Sequence, residues 1–278
     1  MKPSSLDQPT AAAPNAKWLA AHQERTRTTI VVPPLPASFE HPTVVSPEEW
    51  LAARRELLRE EKEHTRRSDA LAARQRSLPW MRIEKNYVFD SPEGRVSLSD
   101  LFGSRQQLIV QHFMFGPGWE EGCKSCSFMA DHIAPTVVHL AARGVSFAAI
   151  SHAPLAEILP FKQRMGWKFN WVSAHETDFN TDFHVSFSPE DVARGPVFYN
   201  FTEQDAPNNE LPGISVFARD AAGAIYRTYS TYGRGVELVM TTYRLLDLVP
   251  KGRDEEGLEY GMAWLRYHDR YDTVTAGS

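Results

Sequence analysis

Residues 108–151 read LIVQHFMFGPGWEEGCKSCSFMADHIAPTVVHLAARGVSFAAIS, and the order of textures along them decides the fold. LIVQHFMF (108–115) is an apolar run of buried-strand length. GPGWEEG then interrupts it as a loop. CSFMADHIAPTVVHLAAR has the composition of a helix, which Pro135 kinks or divides because proline withholds one N–H and crowds the preceding turn. VSFAAIS (145–151) is a second strand.

Working outward, APLAEILPFKQRMG reads as a helix and WKFNWVS as a strand. This β-α-β-α-β order implies a mostly parallel sheet covered by helices. Upstream, MRIEKNYVFD is a strand and LSDLFG a turn of helix or a loop. Downstream, residues 174–210 are polar, rich in Asn, Asp, Glu and Pro, and form an insertion with a short strand at FHVSF or VFYNF. GISVFARD and AIYRTYS flank a turn at AAG as a hairpin, followed by a helix at GVELVMTTYRLLDLV. EEGLEYGMAWLRYHDRYD is expected to be a last helix that covers the core.

Ahead of all this, residues 1–44 form a Pro-, Ala-, Ser- and Thr-rich arm. A long helix is predicted over 45–79, with Ser46 as N-cap, Pro47 in the first turn, Glu49 completing a capping box and Pro79 as the stop. Its apolar stripe is thin (Trp50, Leu57, Leu58, Leu71) and would lie against the domain or against a second subunit in a homodimer. The main domain is read as 80–271, with a tail at 272–278.

Composition narrows the function. Of 278 residues 42% are hydrophobic, enough for a sizeable core, and the net charge of -5 argues against nucleic acid and anionic membrane surfaces as partners. No run of about 18 apolar residues suggests a membrane span. The N-terminal stretch lacks the apolar centre of a secretory signal, so the expected compartment is a reducing cytoplasm. In that compartment a close cysteine pair is redox-active or metal-binding rather than a staple. The chain has two cysteines, Cys123 and Cys126, at Cys-x-x-Cys spacing.

A buried strand, a loop, Cys-x-x-Cys at a helix start, then a βα unit and a hairpin with a closing helix is the thioredoxin-like plan. The expected fold is therefore α/β: a central mixed sheet flanked by helices, with an N-terminal helical extension and an insertion before the C-terminal hairpin. A thiolate at a helix N-terminus faces unpaired N–H groups and the positive end of the dipole, which lowers its pKa. Cys123 would be the nucleophile, and Cys126, one turn further in, the resolving thiol. Lys124 adds a cation that Glu120 and Glu121 oppose. Pro212, directly before the strand GISVF, is expected to be a cis-proline facing the thiols. Trp119 would shape access to Cys123. Tyr229, Tyr232 and Arg234 would line a substrate groove, with Arg234 suited to an anion. Asp131 or His132 could relay a proton to the resolving thiol. His112 reads as a satisfied core histidine.

Six segments carry a resemblance: LPW (78–80), LIVQHFMFGPGWEEGCKSCSFMADH (108–132), RMGWKFNWVS (164–173), DFNTDF (178–183), LPGISVFARD (211–220) and RTYSTYGRG (227–235). From about Val45 to Tyr271 the chain resembles a bacterial thioredoxin-like family of unknown function, often labelled as dithiol-disulfide oxidoreductases. One departure is Lys124, where that family commonly has proline after the first cysteine. The resemblance is specific for membership and much less so for a reaction.

The expected activity is thiol-disulfide exchange on a disulfide-containing protein or small-molecule thiol substrate, with a cellular thiol reductant restoring the pair and no cofactor beyond the redox-active disulfide. Two alternatives stand beside it. A peroxiredoxin-like thiol peroxidase would suit the long loop, but its P-x-x-x-T-x-x-C signature is missing: Pro117 lies six before Cys123, and Glu120 stands where Thr is needed. A copper- or zinc-binding module could use the two thiolates with His132 or His175, although no further Cys or His pair completes a four-ligand site.

Overall fold

A capping box starts the chain's longest helix. Ser46 Oγ accepts from Glu49 N, and the Glu49 carboxylate accepts from Ser46 N, so α1 (Pro47–Arg76) opens with reciprocal caps and Pro47 in its first turn. The computed structural model describes residues 43–206 and 208–271. The arm read at 1–44 lies outside these except for its last two residues, and the tail at 272–278 lies wholly outside. No residue of α1 is buried, and Trp50, Leu57, Leu58 and Leu71 are all exposed. At its far end Gln75 Nε2 donates to Tyr229 OH at 3.1 Å.

The sheet has eight strands: β1 (Met81–Arg82), β2 (Val88–Ser91), β3 (Gly94–Ser97), β4 (Gln107–His112), β5 (Val145–Ser151), β6 (Asn170–Ser173), β9 (Gly213–Arg219) and β10 (Ile225–Tyr232). Between β6 and β9, β7 (Val197–Tyr199) and β8 (Thr202–Gln204) pair separately. The large sheet runs β1-β10-β9-β4-β5-β6-β2-β3. β4, β5 and β6 are parallel neighbours, whereas β9 lies antiparallel on the other side of β4 and carries β10 with it. A parallel pair joined by a helix, with an antiparallel hairpin beside its first strand, is the thioredoxin-like arrangement read from the sequence.

The crossover from β4 to β5 is divided at the expected proline into α2 (Lys124–Ile133), a 3-10 turn at Ala134–Thr136 and α3 (Val137–Ala142). α4 (Leu155–Arg164) links β5 to β6 with Pro160 inside it. Alternation on β4 divides the core. Leu108 and Val110 join Phe89, Phe102, Phe179 and Phe217 on one face of the sheet. The other face carries Phe113, Met129, Phe161 and Trp171 beneath α2 and α4.

One strand expectation changes here, and another is resolved in favour of its second alternative. MRIEKNYVFD is not one strand: β1 and β2 occupy opposite halves of the sheet, because the polar Glu84–Lys85–Asn86 break lets Lys85 Nζ bridge Asp178 and Asp182. FHVSF forms only an isolated bridge from Ser186 to Glu210, while VFYNF supplies β7 and a tight turn with Asn200 and Phe201 at positive φ. The 174–210 segment also contains α5 (Phe179–Asp182) and α6 (Pro189–Arg194).

The expected last helix is instead a run of turns with a 3-10 turn at His268–Arg270. Glu255 explains the change. Its Oε1 accepts from Tyr243 OH, Met262 N and Trp264 Nε1, so side-chain hydrogen bonding replaces a helical ladder. The helix read at 235–249 is likewise a 3-10 turn (Gly233–Val239) followed by the short α7 (Thr241–Leu246).

Gly213 opens β9 beneath the ring of Tyr232: a Cβ there would lie 2.5 Å from Tyr232 Cδ1 and 2.7 Å from Cε1. Gly213→Ala should destabilise the fold by about 1–3 kcal/mol through overpacking. Denaturant unfolding checks this, and an unchanged midpoint would show that the ring moves freely.

Candidate functional site

Cys123 is the N-cap of α2, and Cys126 lies one turn along it. The loop before them folds back on β4's continuation: Cys123 N donates to Met114 O at 2.9 Å, and Met114 N donates to Cys126 Sγ at 3.5 Å. Gln111 Nε2 ties down the other end of the turn by donating to Cys126 O at 3.0 Å. Both thiols are free; Cys123 is partly exposed and Cys126 is buried. Gly122 allows this approach, because a Cβ would lie 2.6 Å from Phe113 Cε1 and 3.0 Å from Phe161 Cε1.

The two thiols are electrostatically unequal. Cys123 is brought down to about 7, chiefly because Cys126 S–H donates to it; burial opposes this, and the N–H groups of Cys126 and Ser125 reinforce it. Cys126 is pushed well above the usual thiol range by burial, then by its bond to Cys123 and the charge there. Lys124 is lowered by burial and by nearby Arg266. Glu121 is held by Arg164 and Arg270 rather than left to oppose Lys124 alone.

A segment distant in sequence braces the loop. Tyr267 OH donates to Gly122 O at 2.7 Å, Arg270 reaches Glu121, and Arg164 joins Asp269 to Glu121.

The structure does not bring every candidate to the thiols. Trp119 is 3% exposed and packs in the core, so it is not a wall of an open groove. Tyr232 is also buried: the β10 alternation turns its ring inward, and its OH accepts from Arg227 Nη2 and donates to Phe183 O. Arg234 is exposed and paired with Glu237, and Tyr229 accepts from Gln75. Pro212 does precede β9, but its peptide bond is trans, as are all those among the described residues. Leu211 N reaches Val185 O, and Pro212 O accepts from Tyr199 OH at 2.6 Å, which hold the extended entry.

Asp131 and His132 find their partners elsewhere. Asp131 accepts from Trp167 Nε1 and pairs with His268. His132 bonds Phe128 O through Nδ1, while its Nε2 meets both the hydroxyl and the N–H of Thr242. His112 Nε2 meets Ser215 Oγ at 2.8 Å, but Nδ1 is buried without a partner, so this histidine is only half satisfied. Among the described residues no group of three or more His, Cys, Asp or Glu is arranged to hold a metal, and no helix is long and apolar enough to cross a membrane.

Sequence reasoning missed Glu210 and His152. Glu210 is 1% exposed; it accepts from His152 Nδ1 at 2.8 Å and from Ser186 Oγ at 2.5 Å. Burial raises Glu210, and its bonds to His152 and Ser186 only partly offset this. For His152, burial acts against the charged ring, but the bond and charge of Glu210 outweigh it and raise its pKa. No local motif marks the pair, which lies 58 residues apart in sequence.

A family model described as "Bacterial protein of unknown function (DUF899)" matches residues 39–271. No curated protein matches the chain. Similar solved structures include a PrxQ mutant from Xylella fastidiosa, at 12% identity and TM-score 0.37, covering 59% of this chain and 96% of that one. Peroxidoxin BcpB from Mycobacterium tuberculosis is 12% identical with TM-score 0.38, covering 61% and 97%. A proposed thiol:disulfide interchange protein DsbE from Chlorobium tepidum is 13% identical with TM-score 0.37, covering 60% and 98%.

Proposed function

We propose that this chain, which belongs to the family of bacterial proteins of unknown function DUF899, is a dithiol-disulfide oxidoreductase. The observation that carries the reading is the asymmetry of the pair: a partly exposed, readily ionised Cys123 at a helix N-terminus above a buried Cys126.

In the reducing direction, the Cys123 thiolate attacks one sulfur of a substrate disulfide. A mixed disulfide forms, and the other substrate sulfur leaves as a thiolate. Cys126 then loses its proton and attacks Cys123 Sγ, breaking the mixed disulfide and releasing the second substrate thiolate. The pair gives up two electrons and becomes an intramolecular disulfide, which a cellular thiol reductant reopens. The substrate is a disulfide-containing protein or small molecule, and the redox group is the cysteine pair itself.

Cys126→Ser removes the second attack and should trap substrates on Cys123 as mixed disulfides, visible as adducts on non-reducing gels or in intact mass. Cys123→Ser should trap none through Cys126, which is buried. Equal trapping by both variants would reverse or dissolve the assignment of roles.

A further inference from the structure

The exposed apolar side chains of this protein are gathered in one place. Among the described residues, ten of the nineteen exposed large hydrophobic side chains fall between Val44 and Met81, on α1 and its two flanks. The apolar surface in need of a partner is therefore the helix rather than the domain. α1 buries no residue of its own, and near its C-terminus Gln75 bonds Tyr229 of β10, which fixes the helix to the domain at that end.

The pattern along α1 repeats every seven residues. Trp50, Leu57, His64 and Leu71 recur at that interval, and Leu51, Leu58, Thr65 and Ala72 repeat it one place on. Seven residues are nearly two helical turns, so both rows run down one side of the helix. Glu56, Arg59, Glu63 and Arg67 lie on the far side, where they pair with one another as Glu56–Arg59 and Glu63–Arg67. Charge varies along the length as well. Residues 47–61 hold five carboxylates and three arginines, a net charge of -2, whereas residues 62–76 hold five cations and two carboxylates, a net charge of +3.

We infer that the occupant of this face is α1 of a second copy of the chain, running antiparallel. A parallel pair would set like-charged halves together and crowd Trp50 against its own copy. The antiparallel pair sets each acidic half against a basic one, which fixes the direction of the helices. In a register that crosses near Glu61, Trp50 and Leu51 meet the partner's Leu71 and Ala72, while Leu57 and Leu58 meet the partner's His64 and Thr65. Val45 then falls near the partner's Leu78, so the flanks are covered with the helix. The two Glu61 carboxylates approach each other at the twofold axis, each already paired with its own Arg54 at 2.8 Å. The contact is the same patch on both copies, so it closes at two.

The area sets the strength. The 30 residues of α1 span about 45 Å, and a stripe about 10 Å wide offers about 900 Å² in the pair, at the low end of specific interfaces. That size suits a reversible dimer with the two domains at opposite ends of the helix pair. The pairing is independent of the chemistry at Cys123.

Sedimentation equilibrium of the full chain, from about 1 to about 100 μM, should show the average mass rising from 31.4 kDa toward twice that value. Leu57→Glu combined with Leu58→Glu should weaken the dimer at least on the order of tenfold, while thermal unfolding of the dilute protein stays unchanged because neither side chain is buried. Disulfide trapping reads the direction. In a Cys123→Ser, Cys126→Ser background, chains carrying Trp50→Cys and chains carrying Leu71→Cys, mixed and oxidised, should join to each other and not to themselves. A monomer at every concentration overturns the inference and leaves the face to residues 1–42 of the same chain or to another protein. A dimer that survives the double substitution overturns it too, and self-joining of the Trp50→Cys chains overturns the antiparallel direction. If the double variant does not fold, failure of the mixed disulfide to form is the overturning result.

Discussion

Under the proposed function Cys123→Ser is expected to abolish disulfide exchange, with a loss at least on the order of a thousandfold. The size follows from the chemistry: a serine hydroxyl ionises far above neutral pH and is a poor partner for sulfur, whereas Cys123 is half thiolate near pH 7. Little else could take over, because Cys126 is 1% exposed and held well above the usual thiol range by burial and by Cys123. The control is the rate of iodoacetamide alkylation of the reduced wild-type protein. It should rise with pH through a midpoint near 7, and in Cys123→Ser this phase should vanish. A midpoint at the ordinary thiol value would mean that the helix start and Cys126 do not activate Cys123, and retained exchange in the variant would place the nucleophile elsewhere.

Mild acid should weaken the fold through His112. Its ring lies on β4 against the adjoining rings of Phe179 and Phe183 of the α5 region, near Tyr232, with Ser215 of β9 at Nε2. Arg227 and Ser230 of β10 are the next groups behind Ser215. Burial, then the Arg227 charge, depresses the ring's pKa to about 3. An unfolded histidine takes a proton near its ordinary value of about 6.5, whereas the folded one resists until about 3.

Between these values the unfolded state therefore binds one more proton, and stability falls as pH falls, by up to about 1.4 kcal/mol per pH unit. Over the whole window the loss is about 4–5 kcal/mol, a large share of the stability of a typical domain. His112→Phe keeps an aromatic ring in the stack and removes the titration. Urea unfolding at a series of pH values should show its stability falling less steeply than wild type between about 6 and 4, by about one proton. Glu210, raised by burial, acts in the opposite sense but is common to both proteins, so the difference isolates His112. Identical slopes would show that the ring is already protonated in the folded chain.

What the sequence disclosed was local. The capping box at Ser46 and Glu49, the strand read at 108–115, the Pro135 break and the GISVFARD–AIYRTYS hairpin are each written in neighbouring residues, and each is found there, although the strand ends at His112. The thiol pair was legible for the same reason, because the four residues Cys123–Cys126 at one helix start carry it.

What stayed hidden depends on residues far apart. The run 255–271 has an aromatic, amphipathic texture, yet Glu255 draws its donors into turns. Trp119 and Tyr232 look like groove residues in sequence but are consumed by the core. Asp131 and His132 look like a relay beside Cys126, while their bonds run to Trp167, His268 and Thr242. Glu210 and His152 carry no pattern; only the folded sheet sets them together.

The brace on the cysteine loop bears on how the protein is made. Tyr267 and Arg270 reach back 145 and 149 residues to Gly122 and Glu121. During synthesis both thiols leave the ribosome long before the residues that shape their loop have been added, and folding proceeds from the N-terminal side. The nascent chain therefore carries the pair in a loop that its brace does not yet hold. Under the proposed function, the loop that presents Cys123 is completed only after the last residues of the brace have been translated.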